Sequence, residues 1–162
     1  MTDLLHHYAD YGLWAGTRFV ERLMHEPDEV LDRAVGGSFP TLRATVLHIR
    51  DAENTWWGRL TGTPTTWPAV PERSLDTVPP VLQRFRAVVK GMRPDALHAI
   101  VSYADLKGRT HRQPAWQMVL HCINHGTQHR GQLITQMRLL GLGEVPANDL
   151  VVYQRTLTTG TS

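Results

Sequence analysis

One cysteine, Cys122, is all that 162 residues supply, so no internal disulfide can form and a reducing cytoplasm is the expected compartment. Lysine is almost as scarce. Two Lys stand against 15 Arg, acids are scattered among them, and the net charge is only +2. No Lys/Arg cluster with interleaved aromatics occurs, so a footprint for a phosphate backbone is missing and nucleic acid is not an expected partner. No apolar run approaches the ~18 residues a membrane span needs. The first residues, Met-Thr-Asp-Leu-Leu-His-His, hold neither a basic stretch nor an apolar signal core, so neither membrane nor export is expected. A phosphate-binding glycine loop, Gly-x-Ser-x-Gly and Glu-x-x-His are all absent. The last of these disfavours a ferritin-like di-iron site.

Histidine, by contrast, is abundant at nine residues. Three of them, His121, His125 and His129, recur at a spacing of four inside a segment that reads as a long helix. Residues four apart share a helix face, so the imidazoles form a column. Adjacent members sit about 6 Å apart along the axis and the outer two about 12 Å. One ion can therefore take at most one His-x3-His pair, and a third ligand must come from elsewhere. The Glu that follows the first His of a zinc-protease helix is missing, so no general base is built in.

The rest of the chain places that column. Leu4, Tyr8, Tyr11, Ala15, Phe19 and Leu23 step by three and four, which predicts a first helix over about Asp3–His25. Glu26-Pro27 ends it. Asp28–Gly37 reads as an irregular connection with room for one helical turn. Ser38-Phe39-Pro40-Thr41 is a helix start, and the second helix should run from there to about Leu60 and stop at Gly62. His48 falls on its inward side. Thr61–Ser74, with three prolines and Trp67, is an extended loop whose Trp is expected to cover part of the core.

A third helix follows from about Asp76 to Met92, and the weak alternation over Ala99–Tyr103 with a turn at Leu106–Arg109 admits a short hairpin. Pro114 opens the fourth helix, which should reach Leu140 and stop at Gly141. The expected architecture is all-α: a four-helix bundle with a long loop between helices 2 and 3. It forms one domain over residues 1–157, and residues 158–162 are expected to be a disordered tail.

His48 is the natural third ligand, since it alone among the other histidines sits well inside a helix on an inward face. Neutral imidazoles suit zinc, nickel, copper and iron(II). Three histidines with an open position describe a catalytic type of site rather than a structural one. Cys122, about 100° round the helix from its neighbours, is expected to be a small core residue. Arg130 has three readings: pairing an acidic group of the substrate, lying at the surface, or pairing with Asp149. Gly126 and Gly131 flank the column and leave room for close approach.

Several segments together resemble the DinB-like family of bacterial four-helix bundles, the DinB/YfiT type. They are His121-x3-His125-x3-His129-Arg-Gly-Gln132 with Arg138-Leu-Leu-Gly141, Val46-Leu-His48-Ile-x-x-Ala-Glu53-x-x-Trp56, Pro146-Ala-Asn-Asp149-x-x-x-Tyr153, and Tyr11-Gly-Leu-Trp14-Ala. Gly12, Gly16 and Asn148 depart from that pattern, the glycines where asparagine is frequent and Asn148 where threonine is common. The resemblance implies a divalent metal, zinc or nickel first, with iron or manganese as alternatives. Its ligands would be His48, His125 and His129, with His121 one turn away in a pocket role at best.

The resemblance further implies a thiol S-transferase that attacks small electrophiles with a low-molecular-weight thiol as cosubstrate. A hydrolase using metal-bound hydroxide and a non-catalytic metal-binding stress-response protein are the alternatives. It also implies a homodimer acting on a small-molecule substrate. No substrate-binding residue is assigned.

Overall fold

The computed structural model describes residues 1–159, which are mostly helical with one small two-stranded sheet. Helix α1 spans Thr2–Leu23 and buries Leu5, Ala9, Ala15, Phe19 and Leu23. Leu4, expected in that stripe, is 55% exposed. Neighbouring residues differ by about 100° around a helix, so only one of Leu4 and Leu5 can face inward. Gly16 marks a close approach, because a Cβ there would lie 2.6 Å from Leu82 Cδ1.

A single turn, α2 (Asp28–Leu31), leads to α3 (Leu42–Thr61). The Thr41 hydroxyl caps α3 by accepting from the Ala44 N–H at 3.1 Å. Gly62, at φ 71°, ends it in the left-handed region that favours glycine.

The following proline-containing loop is held by a buried ion pair. Arg50 Nε donates to Asp51 Oδ1 at 2.8 Å, and its other nitrogens reach Glu72 O, Val70 O and the Thr77 hydroxyl. Asp51 Oδ1 in turn accepts from the Ala69 N–H at 2.9 Å. A guanidinium 1% exposed would be costly alone, but here its donors meet loop carbonyls and a carboxylate. The loop is thereby fixed against α3.

A 3₁₀ turn at Leu75–Thr77 starts α4 (Val78–Gly91), with prolines in its first turn where no N–H is needed. The short α5 (Pro94–His98) was not expected from the sequence. Strands β1 (Ile100–Ala104) and β2 (Thr110–Pro114) pair antiparallel, Ser102 opposite Arg112. Helix α6 covers Ala115–Leu139 and Gly141, at φ 71°, follows it.

Beyond it the chain forms one more helix, α7 (Leu150–Thr159), also not expected. Its Tyr153 is buried against Tyr11 and Trp14 of α1, with ring centroids at 6.0 and 5.4 Å. Thr158 and Thr159 belong to α7, while the remainder of the expected tail, 160–162, lies outside the described residues.

The four long helices each touch two others: α1 lies against α4 and α6, and α3 against the same two. Apolar side chains fill the space between them in two clusters. One centres on Phe19, Val46, Ile49, Leu82 and Leu133, the other on Leu5, Phe85, Val89, Val119 and Ile123. No helix among the described residues is long and apolar enough to cross a membrane.

Candidate metal centre

The α3–α6 contact brings His48 together with His125 and His129. His48 Nε2 lies 3.1 Å from His125 Nε2, and His129 Nε2 lies 3.0 Å from the same atom. One ring nitrogen from each of the three lies within 4.8 Å of the other two. Residues 125 and 129 are one α-turn apart, which is why both rings reach one point. Their side chains are half-buried for His48 and His125 and buried for His129.

An imidazole nitrogen offers one in-plane direction, either an N–H or a lone pair. His125 Nε2 therefore cannot hydrogen-bond both neighbours well, whereas a single cation accepts three lone pairs at once. A tetrahedral ion with bonds of about 2.0–2.1 Å would set its nitrogens about 3.3 Å apart, close to what the rings show. The donor set fits a divalent metal, and these three histidines could hold one.

The protonation states agree with that fit. Burial, with His129 nearby, pulls His48 down to about 4 even though Asp51 opposes it. Burial and the neighbouring histidines pull His125 down to about 3. Both are neutral at neutral pH, which is the ligating form. For His129 the tautomer is set from outside: Nδ1 lies 2.8 Å from Gln132 Oε1 and donates to it, leaving the Nε2 lone pair to face the other rings. The Gln132 amide is fixed in turn by donating to the Ser38 hydroxyl at 3.1 Å.

Aromatic rings enclose the group. Phe39 stacks on His48 with centroids 4.1 Å apart and meets His129 edge-on at 5.5 Å. Its own carbonyl is held by Gln136 Nε2 at 2.8 Å. Trp67 meets His48 edge-on at 5.6 Å and stays 44% exposed. Rather than covering the core, as its loop position suggested, it walls the histidine site. Arg50 and Asp51 bring it there by fixing the loop.

His121 stands apart. Its ring is 6.1 Å from His125 and packs against Trp56 at 4.7 Å. Cys122 is fully buried, and burial together with Glu53 holds its thiol well above its ordinary value, as a core residue should be.

Arg130 differs from expectation. It is 1% exposed, donates through Nε to Asn148 Oδ1 at 2.8 Å and through a terminal nitrogen to the Thr127 hydroxyl at 3.0 Å. Its partner is thus Asn148, next to the Asp149 named as a candidate. Tyr11 donates to the Asn148 carbonyl at 2.5 Å, so one asparagine joins α1, α6 and the start of α7. Gly126 makes room for this: a Cβ there would meet Arg130 at 3.0 Å. Gly131 has no such neighbour within 4 Å, and no helix approaches it.

A cavity of about 580 Å³ lined by Tyr8, Tyr11, Ile123, Thr127 and Asn148 lies on the side of α6 away from the histidine column. Its size does not make it the metal site: Tyr8, Tyr11 and Asp149 line it, but the group of three metal-ligating side chains found among the described residues is the histidine cluster. Sequence reasoning missed Gln132, Phe39 and Trp67. Gln132 alone carried a signal, standing three residues after His129 on the same helix face.

The chain is 20% identical over 159 residues to Protein DinB of Bacillus subtilis (strain 168), an alignment covering 91% of this chain and 92% of that protein. A model of the DinB family matches residues 1–158, nearly the whole length, and the chain belongs to the DinB family.

Proposed function

We propose that residues 1–157 form one DinB-like four-helix bundle domain, built on the four long helices, in which His48, His125 and His129 hold a single divalent metal. Zinc or nickel suits three neutral imidazoles best, with iron or manganese as the further candidates. The observation that carries this is the convergence of three ring nitrogens on His125 Nε2, at 3.0 and 3.1 Å. We further propose that the protein is a metal-dependent thiol S-transferase acting on small electrophiles, and that it works as a homodimer.

When bound, such a metal keeps a small thiol deprotonated near neutral pH, which raises the supply of nucleophile. The protein's part is positional. His48, His125 and His129 present lone pairs, Gln132 sets the tautomer of His129, and Phe39 and Trp67 keep bulk water from part of the ring cluster. The partly open face at Trp67 leaves a way in for a small molecule.

Elemental analysis of natively purified protein should find close to one divalent ion per chain, lost on chelation and in His125→Ala. A thiol-plus-electrophile screen should then show thiol consumption that needs the metal. Product formation without thiol would assign hydrolysis instead, and metal without turnover would assign a binding role. Protein that neither carries nor takes up metal would end the reading.

A further inference from the structure

Arg59 is a half-buried cation near this site that metal binding does not use. It lies 11 residues after His48 on α3, about three turns along nearly the same face. Its guanidinium sits over the rings of Trp56 and Tyr103, 4.5 and 4.7 Å from their centroids. Trp56 also packs on His121, which neighbours His125, so an aromatic path joins the arginine to the histidine cluster.

On its other approach Arg59 borders a cavity of about 400 Å³ shared with Thr55, Gly58, Thr65 and Trp67. Trp67 is the same ring that meets His48. The cavity therefore adjoins the histidine site through a common wall.

The guanidinium is held but not neutralised. Among the described residues its hydrogen bond goes to the Ala104 carbonyl at 3.2 Å, and no carboxylate pairs with it. Asp105 is the nearest candidate, yet its oxygens are taken by Arg109 at 2.7 Å, His111 at 3.1 Å and the backbone N–H groups of Lys107 and Arg109. An arginine has five N–H donors in a fixed fork, so most of them remain for a ligand. Burial pulls its pKa down from the ordinary value, the mark of a partly desolvated cation, and such a cation rewards an anion more than an exposed one does.

We propose that Arg59, clamped between Trp56 and Tyr103 beside the cavity that shares Trp67 with the histidine cluster, binds a carboxylate carried by the small-molecule substrate. This rests on the metal-dependent reading of His48, His125 and His129. A carboxylate fits better than a phosphate for two reasons. Arg59 stands in the last turn of α3, where backbone carbonyls oppose a dianion. It is also a single positive charge with Asp105 close by. The distance along α3 further calls for an extended molecule, with its reacting end at the histidines and its acid at the far end.

The test is calorimetric titration of zinc-loaded protein with the extended thiol acid 8-mercaptooctanoate and with 8-mercaptooctan-1-ol as the neutral thiol of the same length, repeated with Arg59→Gln and Arg59→Lys. Wild type should prefer the acid by about tenfold or more, as charge-assisted hydrogen bonds do. Arg59→Gln should lose that preference while keeping its zinc and its affinity for the neutral thiol. Arg59→Lys should restore part of it. A merely structural role for Arg59 would weaken both ligands together and so would overturn the proposal, as would a preference that survives in Arg59→Gln or is missing from wild type. Succinate titrated against metal-free protein separates the two readings. Binding that depends on Arg59 in a protein that never takes up metal keeps the carboxylate subsite and refutes the metal centre.

Discussion

His48 and His125 stand 77 residues apart in the chain, yet their Nε2 atoms face each other at 3.1 Å. Nothing local demands this. It follows from α3 and α6 packing so that an inward position of one meets the histidine column of the other. Two neutral imidazoles gain little from a hydrogen bond in a half-buried setting, where water is a competing partner. A third ring converging on the same nitrogen makes the cluster hard to rationalise as structure alone. Its outer supports then become the informative places to mutate.

Gln132 is the first of these. Its Oε1 accepts from His129 Nδ1 at 2.8 Å, so Gln132→Ala frees the ring to rotate and to adopt the other tautomer. Loss of such a support costs about 10–100-fold in metal affinity. Competition with a chromogenic chelator should show a loss in that range, with Gln132→Glu, which keeps an acceptor, close to wild type. His121→Ala should leave the affinity unchanged. An unaffected Gln132→Ala would mean that packing against Phe39 already fixes the His129 ring.

Part of the histidine cluster could be read from sequence: a spacing of four puts His121, His125 and His129 on one face, and His48 lies on the inward side of a well-marked helix. The choice of His125 and His129 over His121 and His125 rests on the family resemblance, not on spacing. The helix limits were equally visible, since Thr41, Gly62, Pro114 and Gly141 act on the backbone within a turn of where they stand. What could not be read depends on distant parts of the chain. Trp67 reaches His48 only because Arg50 and Asp51 bind loop carbonyls and an amide up to 22 residues away. Arg130 is buried rather than exposed because Asn148, 18 residues on, supplies its acceptor. Helix α7 was not expected from the sequence, and its Tyr153 packs on α1. Periodicity reports which face of a helix is apolar; it is silent on which polar groups will find each other.

Gly58 is where the loop closes on α3. A Cβ there would lie 2.6 Å from Thr63 O and against the Thr65 methyl, neither of which can move without moving the loop. Alanine in a helix interior normally gains up to about 1 kcal/mol over glycine. Forcing apart a packed contact costs about 1–3 kcal/mol, so Gly58→Ala should be destabilising on balance. Gly131, with open space around it, is the control: Gly131→Ala should be neutral or stabilising. Chemical denaturation of the two variants gives the comparison, and a stable Gly58→Ala would show that the loop shifts without cost. Because the same loop carries Trp67, Gly58→Ala should also alter the tryptophan emission of the folded protein.

Glu53 ties stability to pH with a sign opposite to that of a paired surface acid. Its side chain is buried, and burial raises its pKa from 4.5 to about 7 even though the charge of Arg130 opposes the shift. Below about pH 4.5 the carboxyl is protonated in both folded and unfolded chains and has no effect. Between about 4.5 and 7 the unfolded chain has given up the proton while the folded chain still holds it, so stability falls as pH rises. Above about 7 the penalty is complete, on the order of 3 kcal/mol at 1.36 kcal/mol per unit. Glu53→Gln has the same shape and no proton to lose. Its advantage over wild type should therefore be near zero at pH 4.5 and grow to a few kcal/mol by pH 8. Denaturant unfolding of both proteins across that range measures the difference directly, free of the titrations they share. Parallel pH profiles would show that Arg130 already holds Glu53 ionised in the native state.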